Sequence, residues 1–160
     1  MAPRGRSSEL QNCVRQNHVS DTPQAAQIEA AIEAAIETFN RGDFFAAAEL
    51  FERACNAAGD DLKVLAGALS RIAAAMHLRF ERGGRQSSIN LMSQAMIILE
   101  DLKETRTGID INVDRLCIEL AAYTEEVRST PRDERDGLRH RARIFLERRR
   151  APKINPKSES

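Results

Sequence analysis

Tryptophan is absent and tyrosine occurs once, with six phenylalanines, so the chain carries few flat rings on which nucleic-acid bases could stack. The three cysteines, Cys13, Cys55 and Cys117, are odd in number and far apart. No two stand at the Cys-x-x-Cys interval of zinc or redox motifs, no disulfide framework is indicated, and a reducing, cytoplasmic compartment is expected. No apolar run approaches the ~18 residues that cross a bilayer, because Glu, Arg or Ser interrupts every stretch, so no membrane span is expected. Sustained apolar–polar alternation is also missing, which argues against a sheet. Gly83-Gly84-Arg85 follows a helical pattern rather than a strand, so it is not a phosphate-binding glycine loop, although Arg85 near a helix start is a weak anion contact.

Neither sign of charge is in excess: 24 basic and 24 acidic side chains cancel over 160 residues. The cancellation is not local. Residues 1–20 carry +2, residues 21–130 carry −7 and residues 131–160 carry +5. The acidic centre is the part patterned like a folded domain. Residues 1–20 mix Arg, Ser, Asn and Gln without a helical period and read as a disordered segment; organelle targeting is a minor alternative, weakened by Glu9 and by the lack of an amphipathic face.

Six helices follow from the three-to-four spacing of apolar residues. Thr22-Pro23 opens the first, which runs to about Asn40 with Ile28, Ile32, Ala35, Ile36 and Phe39 on one face and an acidic stripe of Glu29, Glu33 and Glu37 on another. Gly42 turns the chain and Asp43 caps a second helix, about 44–58, with Phe44, Ala47, Ala48, Phe51, Ala54 and Cys55 inward. A third, about 62–82, is capped by Asp60 or Asp61 and packs Leu65, Leu69, Ile72, Ala73 and Met76. Ser87 or Ser88 caps a fourth, about 88–104, packing Ile89, Met92, Ala95, Met96, Leu99 and Leu102. Asp110 caps a fifth, with Val113, Leu116, Cys117, Leu120, Tyr123 and Val127 inward. Thr130-Pro131 starts a sixth, about 131–150, with Leu138, Ala142, Phe145 and Leu146 as its packing side. The expectation is an all-α, compact bundle of five to six helices: a disordered segment 1–20, a bundle 21–130, a basic amphipathic helix 131–150 and a disordered tail 151–160.

An internal echo runs through the bundle. Gly42 precedes Ala54, and Gly83 precedes Ala95, by the same twelve residues. Gly42, Phe44, Ala47, Phe51 and Ala54 resemble a tetratricopeptide hairpin, in which alanines make the close contact and aromatics fill the groove. In the second unit Arg85, Ser88 and Met92 stand at the matching positions and the repeat is about forty residues, longer than the usual ~34. Related hairpins in a compact bundle fit better than a regular array.

The segment Phe39-Asn40-Arg41-Gly42-Asp43-Phe44-Phe45-Ala46-Ala47-Ala48-Glu49-Leu50-Phe51-Glu52 resembles the opening signature of a small all-helical bacterial and plastid family, domain of unknown function 309. Ala73-Ala74-Ala75-Met76-His77 before Gly83, and Gly108-Ile109-Asp110-Ile111, resemble its later segments, so that the likeness covers roughly 28–128. The resemblance implies a helical fold and the label of a predicted metal-dependent hydrolase, which rests on a His-Glu pair. Here the family's Glu-Ala-His-Glu is Ala46-Ala47-Ala48-Glu49, and Cys55 stands at its tryptophan. Alanine can neither ligate a metal nor exchange a proton. Glu49, Glu52 and His77 remain as candidate ligands for a divalent metal if the second and third helices bring them together.

Each candidate has a plainer alternative. Glu49 and Glu52 share a face suited to one hard cation, or to solvated ion pairs. His77 lies beside an apolar stripe, where a hydrogen-bonded, half-buried imidazole serves packing. Cys55, with apolar neighbours, reads as an inert core thiol. Arg139, Arg141, Arg143, Arg148, Arg149 and Arg150, with Lys153 and Lys157, form a basic end that would contact an anion or nucleic acid. The same end would equally dock on the acidic centre or remain a solvated tail. The expected function is a non-enzymatic helical module binding a protein partner in a groove between its hairpins, with no cofactor. A metal-dependent hydrolase and nucleic-acid binding through the basic helix are the alternatives.

Overall fold

The computed structural model describes residues 22–103, 108–130 and 137–157, and every regular element longer than one turn among them is an α-helix. In chain order these are α1 (Thr22–Asn40), α2 (Phe44–Ala57), α3 (Asp60–Glu81), α4 (Arg85–Leu102), α5 (Val113–Ser129) and α6 (Gly137–Arg149). The all-α bundle expected from the spacing is therefore the fold. Helices α1 to α5 pack in sequence, each on the next, and α1 also reaches α3. The N-terminal segment 1–20 and the opening of the sixth helix at 131–136 lie outside the described residues.

Stripe geometry accounts for this order. On α2, Phe44, Ala47, Phe51 and Ala54 are buried, at intervals that keep one face of a 3.6-residue helix toward its neighbours. Helix α3 must satisfy α2 on one side and α4 on the other, so its burial is wider: Ala66, Ala68, Ala73 and Ala75 are enclosed along with Leu65, Leu69, Ile72 and Met76. Alanines there let both neighbours come close. At the top of the first hairpin Phe39 meets Phe44 edge-on at 5.1 Å and Phe44 stacks on Phe80 at 5.5 Å, each pair adding about 0.5–1.5 kcal/mol beyond the area it buries. The echo seen in the sequence is structural: Gly42 and Gly83 both take left-handed φ, +91° and +64°, at the turns of the first and second hairpins.

Helix starts agree with the spacing only in part. Asp43 caps α2 as expected, its Oδ1 accepting the Ala46 amide at 3.2 Å. The caps placed at Asp60 or Asp61, at Ser87 or Ser88 and at Asp110 are corrected: Gly59, Gly84 and Asn112 hold those positions. Gly84 closes α3 and opens α4 at once, its amide donating to Leu78 O and its carbonyl accepting from Ser88 N, each at 2.9 Å. Asn112 Oδ1 accepts the Arg115 amide at 3.0 Å, while Asp110 Oδ1 accepts the amide of Lys157 at 3.1 Å. Thr130, read as an opening cap, instead finishes α5 by donating its hydroxyl to Glu126 O at 2.8 Å.

The C-terminal boundaries also change. Phe145 and Leu146, expected to pack, are 62% and 54% exposed, whereas Glu147 is only 6% exposed. Within the expected tail, residues 151–157 pack on the bundle: Ala151 and Ile154 belong to the core, and Asn40 holds both backbone groups of Ile154, donating to its carbonyl at 2.8 Å and accepting its amide at 3.0 Å; residues 158–160 lie outside the described residues. In the described part of the basic end, Arg148 and Arg150 pair with Glu81 and Glu126 of the acidic centre.

Candidate interaction groove

The Met76 stripe of α3 continues by three residues to Arg79, which places a guanidinium on the core side. A charge taken out of water must find a partner, and the only carboxylate that meets it among the described residues comes from 68 positions away. Arg79 Nε and Nη2 donate to Glu147 Oε1 and Oε2, both at 2.7 Å, in the two-pronged geometry a guanidinium and a carboxylate favour. Tyr123 of α5 donates its hydroxyl to Glu147 Oε1 at 2.9 Å. All three side chains are buried. Burial, reinforced by the neighbouring Glu147 carboxylate, pushes the Tyr123 phenol far above its ordinary range, so it remains a neutral donor.

Around this junction the last residues of α6, from Glu147, and residues 150–157 touch α1, α2, α3 and α5. Arg148 donates to Gly42 O at 2.8 Å, reaches Glu81 at 3.5 Å and lies over the rings of Phe44 and Phe80 at 5.6 and 5.9 Å. Arg150 pairs with Glu126 of α5 at 3.3 Å. Lys153 donates its amide to Glu119 at 3.4 Å and its ammonium to Asn40 O, and the Asn112 amide donates to Asn155 O at 3.1 Å. Ends or faces of α1, α3 and α5 thus form one groove, and the C-terminal segment fills it.

Beside the groove is an open cleft of about 560 Å3 between the start of α2, the end of α3 and Arg148. Phe45, 54% exposed, leans on His77 with ring centres 5.2 Å apart, and Arg41, Asp43 and Glu81 complete the rim. Five consecutive residues, Arg41 to Phe45, line it together with His77.

The proposed metal ligands do not converge. Glu49 and Glu52 are exposed, on the side of α2 away from its buried stripe, while His77 rests against Phe45. Among the described residues no three His, Cys, Asp or Glu side chains are grouped to hold a metal ion. Ala48 is half-buried where α2 meets α3, its carbonyl accepting the Ser70 hydroxyl at 3.4 Å. The basic candidates are dispersed: Arg148 and Arg150 are engaged as above, Arg149 stacks over Phe145 at 5.8 Å, and Arg143 is half-buried and partnered. The side chain of Arg139 lies outside the described residues. Arg79, Tyr123 and Glu147 escaped the sequence reading as a set. The available signal was an arginine on an apolar stripe, which requires a buried acid from elsewhere.

The chain is 30% identical over 118 residues to a protein of Aquifex aeolicus (strain VF5) described as uncharacterized, an alignment covering 73% of this chain and 33% of that protein. The chain therefore spans about a third of the length of the curated relative it matches. No family model and no solved structure matches it. No described helix is long and apolar enough to cross a membrane.

Proposed function

We propose that the chain is a non-enzymatic helical module that binds a protein partner, with the Phe45–His77 cleft as a contact surface. The supporting observation is Phe45: a large ring 54% exposed on the first turn of a rigid helix, backed by His77 and ringed by Arg41, Asp43 and Glu81. Exposed aromatics with charged rims are where binding energy concentrates in interfaces. A hydrolase has less support, because among the described residues Glu49, Glu52 and His77 are not grouped to hold a metal ion. Nucleic-acid binding has less support too, because Arg148 and Arg150 already serve Glu81, Gly42 and Glu126.

A relationship to the domain of unknown function 309 family belongs to the same reading. It is supported by Gly42, whose φ of +91° is the conformation that makes glycine necessary in that signature. A cytoplasmic setting accords with the free thiols of Cys55 and Cys117.

The test is retention of a protein in equimolar amount on tagged full-length chain, compared with Phe45→Asp at equal helicity and melting temperature. A partner held by wild type and lost from the variant supports the reading. Absence of any equimolar protein, or equal retention by both chains, overturns it.

A further inference from the structure

We propose that the groove crossed by α1, α3 and α5 is a second binding site, for a helical segment of a partner protein that presents a glutamate, and that α6 with its tail occupies this site as an internal stand-in for that segment. The inference rests on the reading of the chain as an interaction module but concerns a different surface.

Three observations lead to it. First, the end of α6 buries an acid in place of its apolar neighbours. Helices α2 to α5 turn their apolar stripes inward, whereas at the end of α6 Phe145 and Leu146 face solvent and Glu147 is buried. A carboxylate therefore fastens this helix end, and apolar burial resumes only in the tail, at Ala151 and Ile154.

Second, the fastening is recognition chemistry. One carboxylate is read by two guanidinium N–H groups and a phenol hydroxyl at 2.7, 2.7 and 2.9 Å, all three residues being buried. Removing the segment would leave Arg79 and Tyr123 as a preformed carboxylate receptor.

Third, the segment is read again seven residues later. Ile154 is 1% exposed, and its amide and carbonyl are both held by the single side chain of Asn40. A side-chain amide that satisfies both groups of one backbone residue holds an extended peptide without specifying its side chain, as a sheet edge does. The matching partner is a helix bearing a glutamate, followed at that interval by a residue with an apolar side chain and both backbone groups free to meet Asn40.

The competing occupant hides the receptor, so apparent affinity for an added segment scales with the fraction of chains whose groove is open. The probe is a fluorescein-labelled peptide of residues 137–157, titrated into full-length chains. Glu147→Lys in the full chain should bind it at least about tenfold more tightly than wild type does. A peptide carrying Glu147→Gln should bind neither chain.

No binding to a helical Glu147→Lys chain, equal binding to variant and wild type, or equal binding of the two peptides would overturn the proposal. If Glu147→Lys fails to fold by circular dichroism, full-length Glu147→Gln carries the test, since glutamine keeps the volume: tighter binding than wild type supports the proposal and equal binding overturns it. Loss of the Phe45-dependent partner would not alter these outcomes, and a negative peptide titration would not alter that partner's retention.

Discussion

Truncating Glu147 to alanine tests the buried junction most severely. With α6 docked, the substitution leaves the Arg79 guanidinium, 5% exposed, and the Tyr123 hydroxyl, in a residue 3% exposed, without the acceptor they share. Breaking a buried pair by deleting one partner costs about 3–5 kcal/mol, because the surviving charge stays desolvated. For a domain with about 5–15 kcal/mol of total stability this is a large fraction. The matched control is Glu125→Ala, which removes an Arg128 partner at 2.9 Å with both side chains more than half exposed, and should cost about 0.3–0.5 kcal/mol.

The assay is urea unfolding followed by circular dichroism. If docking of α6 is worth less than the penalty, the chain escapes by releasing α6, and the transition then shows a smaller denaturant slope because less surface is buried to begin with. Either a midpoint drop at constant slope or a drop with reduced slope is expected. A Glu147→Ala loss no larger than that of Glu125→Ala, at unchanged slope, would refute the burial argument. The triple variant Arg79→Met, Glu147→Met, Tyr123→Phe should recover most of the loss, since apolar side chains of similar volume need neither a counter-charge nor an acceptor.

Three further outcomes follow from the same structure. Tyr123 is the single tyrosine of a chain without tryptophan, so phenolate absorbance reports it alone. Its folded-state pKa is raised, so its contribution is complete below the unfolded value of about 10 and is lost as pH rises above it; wild type should lose about 1 kcal/mol more than Tyr123→Phe per pH unit there, and phenolate appearing near pH 10 in the folded chain would contradict this. Gly42→Ala should cost about 1–2 kcal/mol because φ is +91°, whereas Gly67→Ala, inside α3 with its nearest neighbours at 3.4 and 3.6 Å, should gain up to about 1 kcal/mol; thermal melts giving the two the same sign would contradict the backbone argument. Cys117, 6% exposed and with its thiol pushed up by burial and by Glu100 and Asp114, should alkylate well after half-buried Cys55, and mass spectrometry showing the reverse order would contradict its placement.

What could be read from the residues was whatever depends on local spacing. The α2 stripe, the turn at Gly42 and the Asp43 cap are each decided within a few positions, and each appears as expected. The misplaced caps fail for a longer-range reason: Asp110 looked like a helix start, but its carboxylate accepts the amide of Lys157, 47 residues on. Helix α6 misled most, since periodicity alone cannot tell which side of a helix meets the bundle when its attachment is ionic. Only the buried Arg79 decides that Glu147, not Phe145, turns inward. A tail containing two prolines and two lysines gave no sign of burial, yet Ile154 is in the core because Asn40, 114 residues away, holds its backbone. For the metal candidates, spacing along α2 put Glu49 and Glu52 on a shared face but did not say that the face was the solvent one.

The central claim is that α6 and its tail are a separable, ligand-like segment seated on a bundle formed by α1 to α5. Hydrogen exchange of the amides of 138–149 in the full-length chain measures this directly. The account predicts that these amides exchange through an opening that leaves α3 and α5 protected, and that Glu147→Gln accelerates them alone. Exchange of α6 only together with α3 and α5, with Glu147→Gln accelerating all three alike, would make the segment an integral part of the core and contradict the claim.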